Sequence, residues 1–448
     1  MKKLLVLAAF LVAATGLQQS SAQGSGGQKM GLQEAIKYGI EHRATVQNAR
    51  IDTEIAKAKV GEIRAIGLPQ INGAVDAARG QQPFFLPGAF IPDGPADELI
   101  GLQSPLSYSG SAGLTFSQLL FDGSYLIGLK ASRTYTELSR KQLHQTEIEV
   151  ADAVTRAYYT VLVTDSRMAL VDQNISRLDT VLRQTRAMFN EGFAESIDAD
   201  RIEVSLNNLK AEREKIIRLQ QLSYQLLKYQ MGMPQTEQLS LTGNLRDIEI
   251  DARQSATNTD YSKRIEYSIL ETQKELSTLD LKNNRAGYYP KLFLSGRYGA
   301  MTQTTAFADL TKDISNRYFQ YHNIGVSLQM PIFDGLQRNY LVQQAKLNLK
   351  KVDNGFNELK QAIDLQNQQA ATNVQNSLEQ LEISKRNMTL AREVARVTGI
   401  KFREGVGSNI EVVTAETALK EAETNYFNAL YDLVISQVDL QKAQGTLY

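Results

Sequence analysis

The chain has no cysteine in its 448 residues. That excludes disulfides, thiolate metal sites and the cysteine an N-terminal lipid anchor requires. An excess of one charge is also lacking: without Lys2 and Lys3, 47 basic residues face 49 acidic ones. Near neutrality removes the electrostatic footprint expected of a nucleic-acid partner. After the N-terminal run no stretch of about 18 consecutive apolar residues occurs, so no transmembrane helix is expected. Membrane-spanning β-strands stay open, because they need no such run. Histidine is scarce, and His42, His144 and His322 lie far apart in unrelated contexts, so no metal cluster is expected. No phosphate-binding loop, G-x-S-x-G or H-E-x-x-H is present. Asp198 and Asp200 form an acid pair only at a polar helix start, where charge is ordinary. No catalytic constellation and no cofactor is expected.

The N-terminus has its own grammar. "MKKLLVLAAFLVAATGLQQSSA" carries two lysines, an apolar core from Leu4 to Leu17 and a small-residue end, Ser20-Ser21-Ala22. This predicts a secretory signal peptide over 1–22, since the core is short for a retained anchor of about 20 residues. The mature chain is then expected to work outside the cytoplasm.

The rest reads as one pattern written twice. "LLFDG" (119–123) returns as "PIFDG" (331–335). "FNEGFAESIDAD" (189–200) returns in frame as "FREGVGSNIEVV" (402–413), with Phe189, Gly192 and Asp198 answering Phe402, Gly405 and Glu411. "GLPQI" (67–71) has a weaker echo in "YYPKL" (288–292), where Pro290 answers Pro69. The expected units are 23–230 and 261–448, each a helix, a β-hairpin and a long helical hairpin, with 231–260 as a linking segment.

Between Tyr125 and Phe189 there is no proline and one glycine, Gly128. A helix of that length reaches on the order of 100 Å. Ile148, Val154, Val161 and Leu162, then Leu170, Ile175, Leu178 and Leu182 recur at helical spacing between polar residues. Residues 341–400 and 409–444 read alike, rich in Gln and Asn. Long, half-polar helices with one apolar stripe belong to an extended coiled-coil-like assembly.

Beside the prolines the period changes to two. Ile71, Gly73, Val75 and Ala77 alternate with Asn72, Ala74 and Asp76; Tyr108, Gly110, Ala112, Leu114 and Phe116 alternate with Ser109, Ser111, Gly113, Thr115 and Ser117. Leu292, Leu294, Gly296 and Tyr298 oppose Ser295 and Arg297, and Ile324, Val326, Leu328 and Met330 oppose Gly325, Ser327 and Gln329. Strands of about ten residues facing lipid on one side fit this pattern; hairpins on a soluble core fit the local pattern too. Four lipid-facing strands cannot close a barrel, and open edges in hydrocarbon cost several kcal/mol per unpaired group. Copies of the chain must supply the missing strands. Three copies, giving about twelve strands, make the smallest ring expected to keep a lumen.

These residues resemble the TolC family of outer-membrane efflux proteins. The match runs from "LQEAIKYGIEHRATVQNARIDTEIAKAKV" (32–60) through "GLPQI", both "FDG" motifs and both broken-helix motifs to "YFNALYDLVISQVDLQKAQGTL" (426–447). The resemblance implies an α+β membrane protein: a homotrimeric twelve-stranded barrel in outer-membrane lipid, four strands per chain, continued by a helical tunnel across the periplasm. Barrel–helix junctions fall at Pro69, Phe121, Asp122 and Gly123 and at Pro290, Phe333, Asp334 and Gly335. Residues 231–252 become an equatorial collar, and 83–105 and 302–320 external loops, the first unusually apolar ("PFFLPGAFIP"). Helix-tip turns at Gly192, Phe193, Gly405, Val406, Gly407 and Ser408 (overall 192–196 and 405–409) would dock a periplasmic membrane-fusion adaptor, itself joined to an inner-membrane pump. Gly192, Gly405 and Gly407 are expected to supply positive φ.

Asp198 and Glu411 fall where the family carries pore-entrance acids, six in a trimer. The plainer role of such acids is to stabilise the dipole of a helix start by about 0.3–1 kcal/mol. The chain departs from the family pattern at Phe402 and Gly407, in place of a gate-linking tyrosine and arginine, and at Thr414 and Ile197, in place of a second acid and a hydroxyl. The function implied is an exit duct for efflux or type I secretion. A periplasmic adaptor or coiled-coil scaffold is the alternative, though adaptors usually carry one hairpin beside a β-sandwich.

Overall fold

A computed structural model describes residues 28–80, 83–92, 95, 97–103, 106–243, 260–312 and 317–448. The expected signal peptide and residues 244–259 of the linking segment lie outside them. In chain order the elements are β1 (Gln28–Met30), α1 (Leu32–His42), α2 (Ala44–Ile66), β2 (Gln70–Arg79), β3 (Pro83–Pro87), β4 (Leu99–Gln103), β5 (Tyr108–Phe121), α3 (Gly123–Asn190), α4 (Ser196–Met231), β6 (Leu239–Leu241), α5 (Ile265–Ala286), β7 (Lys291–Thr304), β8 (Phe319–Gln329), α6 (Gln337–Arg403) and α7 (Asn409–Gln444). The 68 residues of α3 rise about 100 Å.

β2, β5, β7 and β8 form one antiparallel sheet in the order β2-β5-β7-β8. Its register aligns the alternation of all four strands. Ile71, Phe116, Gly296 and Ile324 stand in one row, while the adjacent row is Asn72, Thr115, Arg297 and Asn323. Directly opposed residues share a face. One face is therefore largely apolar, and the other is rich in Ser, Thr, Asn and Gly, with Arg297, Lys291, Asp76 and Tyr321 among them. Ile71, Val75, Ile324, Val326 and Leu328 are all exposed in the single chain. β5 and β7 reach 14 residues each, longer than the period-two runs suggested, because β5 stays paired through Phe121 at the start of α3 and β7 stays paired through Thr304 at the opposite end.

Two small sheets had no signature in the pattern. β3 and β4 pair as an antiparallel hairpin between β2 and β5. β1 pairs in parallel with β6, tying the start of the described chain to the linking segment.

The helices pack through narrow seams. On α6 the buried positions include Ile363, Asn367, Ala370, Val374, Leu381, Ser384, Ala395 and Phe402, which keep alternating steps of three and four. That is a coiled-coil seam rather than a broad core-facing stripe. The largest core joins α1, the middle of α3, the end of α4, and α6 and α7 around Ile36, Val154, Val161, Leu227, Met231 and Leu433. A second, around Leu178, Leu182, Ile202 and Leu206, holds α3 to α4 further down. Of the predicted α3 stripe, Val154, Val161, Leu162, Leu178 and Leu182 are buried.

Candidate functional site

The two helical hairpins reverse at tips built alike. After α3, Gly192 takes φ +81°, and the Phe193 amide donates back to the Met188 carbonyl at 2.8 Å. After α6, Gly405 takes φ +77°, and the Val406 amide donates to the Lys401 carbonyl at 3.0 Å. Both are left-handed C-terminal caps that satisfy carbonyls a helix end leaves open. Gly407 departs from expectation, because its φ is not positive. It is needed for space instead. A Cβ there would lie 3.0 Å from the Lys401 Cβ and 3.1 Å from the Phe402 nitrogen, where the chain folds back on α6. The apex residues Phe193 and Val406 are 81% and 77% exposed, an apolar pair at the end of otherwise polar hairpins. Ser408 then caps α7, its hydroxyl accepting from the Glu411 amide at 3.4 Å.

The tips touch each other. The Asn409 side-chain amide, 4% exposed, donates to the Asp198 carbonyl at 2.7 Å and to its carboxylate at 3.1 Å. Asp198 also faces Arg201 at 3.8 Å. Asp198 is thus engaged within the chain, whereas Glu411 is exposed and makes no ion pair among the described residues. Phe402 is buried in the α6 seam, and Thr414 and Ile197 are exposed.

Higher up, charged groups join the hairpins, and sequence reasoning had missed them. The Arg177 Nε of α3 donates to both Glu416 carboxylate oxygens of α7, at 3.0 and 2.9 Å. Arg177 also reaches Asn174, which donates to Glu423 at 3.2 Å, and Arg392 of α6 reaches Glu423 at 3.3 Å. Glu423 is 1% exposed. Burial pushes the Glu416 carboxyl above its ordinary range, outweighing the pull of Arg177. Lys420 pairs with Glu212, and Arg156 with Asp152 and Asp439. A signal was available: Glu423 stands in the same helical stripe as Val412, Ala415, Leu419, Leu430 and Leu433.

At the other end lie the junctions. Pro69 and Pro290 each immediately precede a strand, β2 and β7. Asp122 caps α3, accepting from the Ser124 amide at 2.7 Å, and pairs with Lys291 of β7 at 2.9 Å. Phe121 ends β5 and Gly123 begins α3. The second motif is looser. Gly335 and Leu336 both take positive φ before α6 starts, Phe333 is exposed, and Asp334 accepts from the Arg338 amide at 3.2 Å. A leucine held there costs about 1–2 kcal/mol.

A sheet with one apolar and one polar face, on long helices ending in paired tips, is shared with known proteins. The profile of the outer membrane efflux protein family matches residues 36–228 and 272–446. The chain belongs to that family. It is 21% identical over 339 residues to outer membrane protein TolC of Vibrio cholerae, covering 75% of this chain and 77% of that one. It is 21% identical over 460 residues to the outer membrane efflux protein BepC of Brucella suis, covering 99% and 91%. The open-state MtrE outer membrane channel of Neisseria gonorrhoeae superposes with TM-score 0.72 at 17% identity, over 92% of this chain and 88% of that one. This efflux-family chain therefore carries the fold of outer-membrane channels.

Proposed function

We propose that the chain is the outer-membrane exit duct of an efflux or type I secretion system, passively conducting substrates delivered by a periplasmic adaptor and an inner-membrane pump. One observation carries this reading. The register puts the apolar positions of four strands on one face of a sheet whose edge strands, β2 and β8, each have a single neighbour. In hydrocarbon those edges must be paired. Edge pairing with two further copies closes a twelve-stranded barrel, with an outer apolar surface and a polar lumen.

The helices support the same assembly. On α6, Ile383, Leu390, Val394 and Val397 are exposed at coiled-coil spacing, turned away from the buried seam. On α4, Leu219, Leu222, Leu226 and Tyr229 are exposed in the same way. Unpartnered stripes on both hairpins fit packing between copies in a tunnel wall. The corresponding order of elements in 44–231 and 265–444 fits an internal tandem duplication. The exposed apex pair, Phe193 and Val406, is the adaptor-docking surface, and Asp198 and Glu411 of three copies line the entrance.

Reconstitution in planar bilayers tests the reading. Stepwise ion conductance supports it. A protein released from membranes by carbonate, with no conductance, is a scaffold instead.

A further inference from the structure

We propose that Arg297 forms a cationic belt inside the barrel that favours solutes bearing carboxylate or phosphate groups. The inference rests on the barrel reading above and concerns a position far from the tips. Arg297 stands in the row Asn72, Thr115, Arg297, Asn323, which crosses all four strands. Its direction is fixed by its neighbours. A Cβ on Gly296 would lie 3.3 Å from the Ile324 side chain and 3.8 Å from the Phe116 Cβ, so Gly296 belongs to the apolar face. Arg297, next in the strand, projects from the polar one. Two residues on, the Tyr321 hydroxyl lies over Gly113 and Gly299, 3.1 and 2.8 Å from where their Cβ atoms would be, so that face also carries the Tyr321 phenol.

Charge is sparse on this face. Lys291 shares it but is paired with Asp122, and the Asp76 carboxylate, which accepts from Ser111 at 3.5 Å, stands four residues along β2 from the row of Arg297. Arg297 is exposed and makes no ion pair among the described residues. A guanidinium stays charged at every working pH and presents a fork matched to carboxylate and phosphate. Three of them at one level, within low-dielectric walls, attract anions and raise the barrier for cations. The belt thus opposes the acids at the periplasmic end, and a solute meets the two fields in series.

Because the chain has no cysteine, single thiols can be placed without background. Thr115→Cys and Leu114→Cys channels are treated in bilayers with an anionic and a cationic methanethiosulfonate. Thr115→Cys loses conductance on modification, and Leu114→Cys, facing lipid, does not. The anionic-to-cationic rate ratio at Thr115→Cys falls about threefold when Arg297→Gln is added. Arg297→Lys retains the ratio, and Asn323→Glu, which neutralises the belt with Arg297 in place, lowers it as Arg297→Gln does. A conducting channel with no labelling at Thr115→Cys, or with a ratio indifferent to Arg297→Gln and Asn323→Glu, overturns the belt. A wild-type chain that never conducts contradicts the barrel reading itself.

Discussion

Asn409 clamps Asp198: one side-chain amide at the start of α7 holds both the carbonyl and the carboxylate of a residue in the first turn of α4. The contact fixes the two tips side by side. Asn409→Ala removes one clamp worth about 1 kcal/mol. Asn409→Asp sets a second carboxylate against the first and loosens the tips further. Hydrogen exchange over 188–200 and 401–413 should quicken in the order wild type, Ala, Asp.

The Arg177–Glu416 pair answers to pH in a defined direction. Burial raises the Glu416 carboxyl above its ordinary value, so the folded chain holds that proton more tightly than the unfolded one. Its contribution to stability is therefore greatest below the ordinary glutamate range and is lost as pH rises through the raised value. Arg177→Ala leaves a buried carboxylate unpaired. At neutral pH it should cost about 1–3 kcal/mol, discounted because the arginine is itself more than a third exposed. The penalty should shrink on acidification, and Glu416→Gln should be nearly neutral. Thermal melts of the three proteins at pH 7 and near pH 4.5 measure this.

Gly192 and Gly407 are both glycines at tips, but for different reasons. Gly192→Ala forces a left-handed alanine, with no neighbour within 4 Å, and should cost about 1 kcal/mol, with Gly192→Asn milder. Gly407→Ala keeps an ordinary φ but drives a methyl against α6 backbone, so Asn gives no relief there. Proteolysis at the tips should follow that difference.

The proposed entrance role of Asp198 and Glu411 makes a separate prediction. Asp198→Ala with Glu411→Ala should lower cation selectivity in bilayer recordings, since acids crowded in a constriction attract cations. Because Glu411 has no ion pair among the described residues and Asp198 is held by Asn409, Glu411→Ala alone should account for most of the change. Unchanged reversal potentials would remove both acids from the pore lining.

Much of this was legible from residue order. The period-two runs assign Ile71, Phe116 and Ile324 to one face because a strand's side-chain period leaves no other choice once pairing is in register. The frame shared by Gly192 and Gly405 located both tips. β1 and β6 were silent because three residues carry no periodicity. Gly407 was misread because spacing alone cannot separate a glycine needed for φ from one needed for room. Arg177 and Glu416 carry no signal in residue order, since burial between two hairpins is a tertiary property.

The central claim concerns copies completing one another, and light scattering of the detergent-extracted protein tests it most directly. Three chains per particle, reduced to one by Leu390→Glu with Val394→Glu on the exposed α6 stripe, is the predicted result. A single stable chain per particle for the unaltered protein, with its sheet edges open, contradicts it.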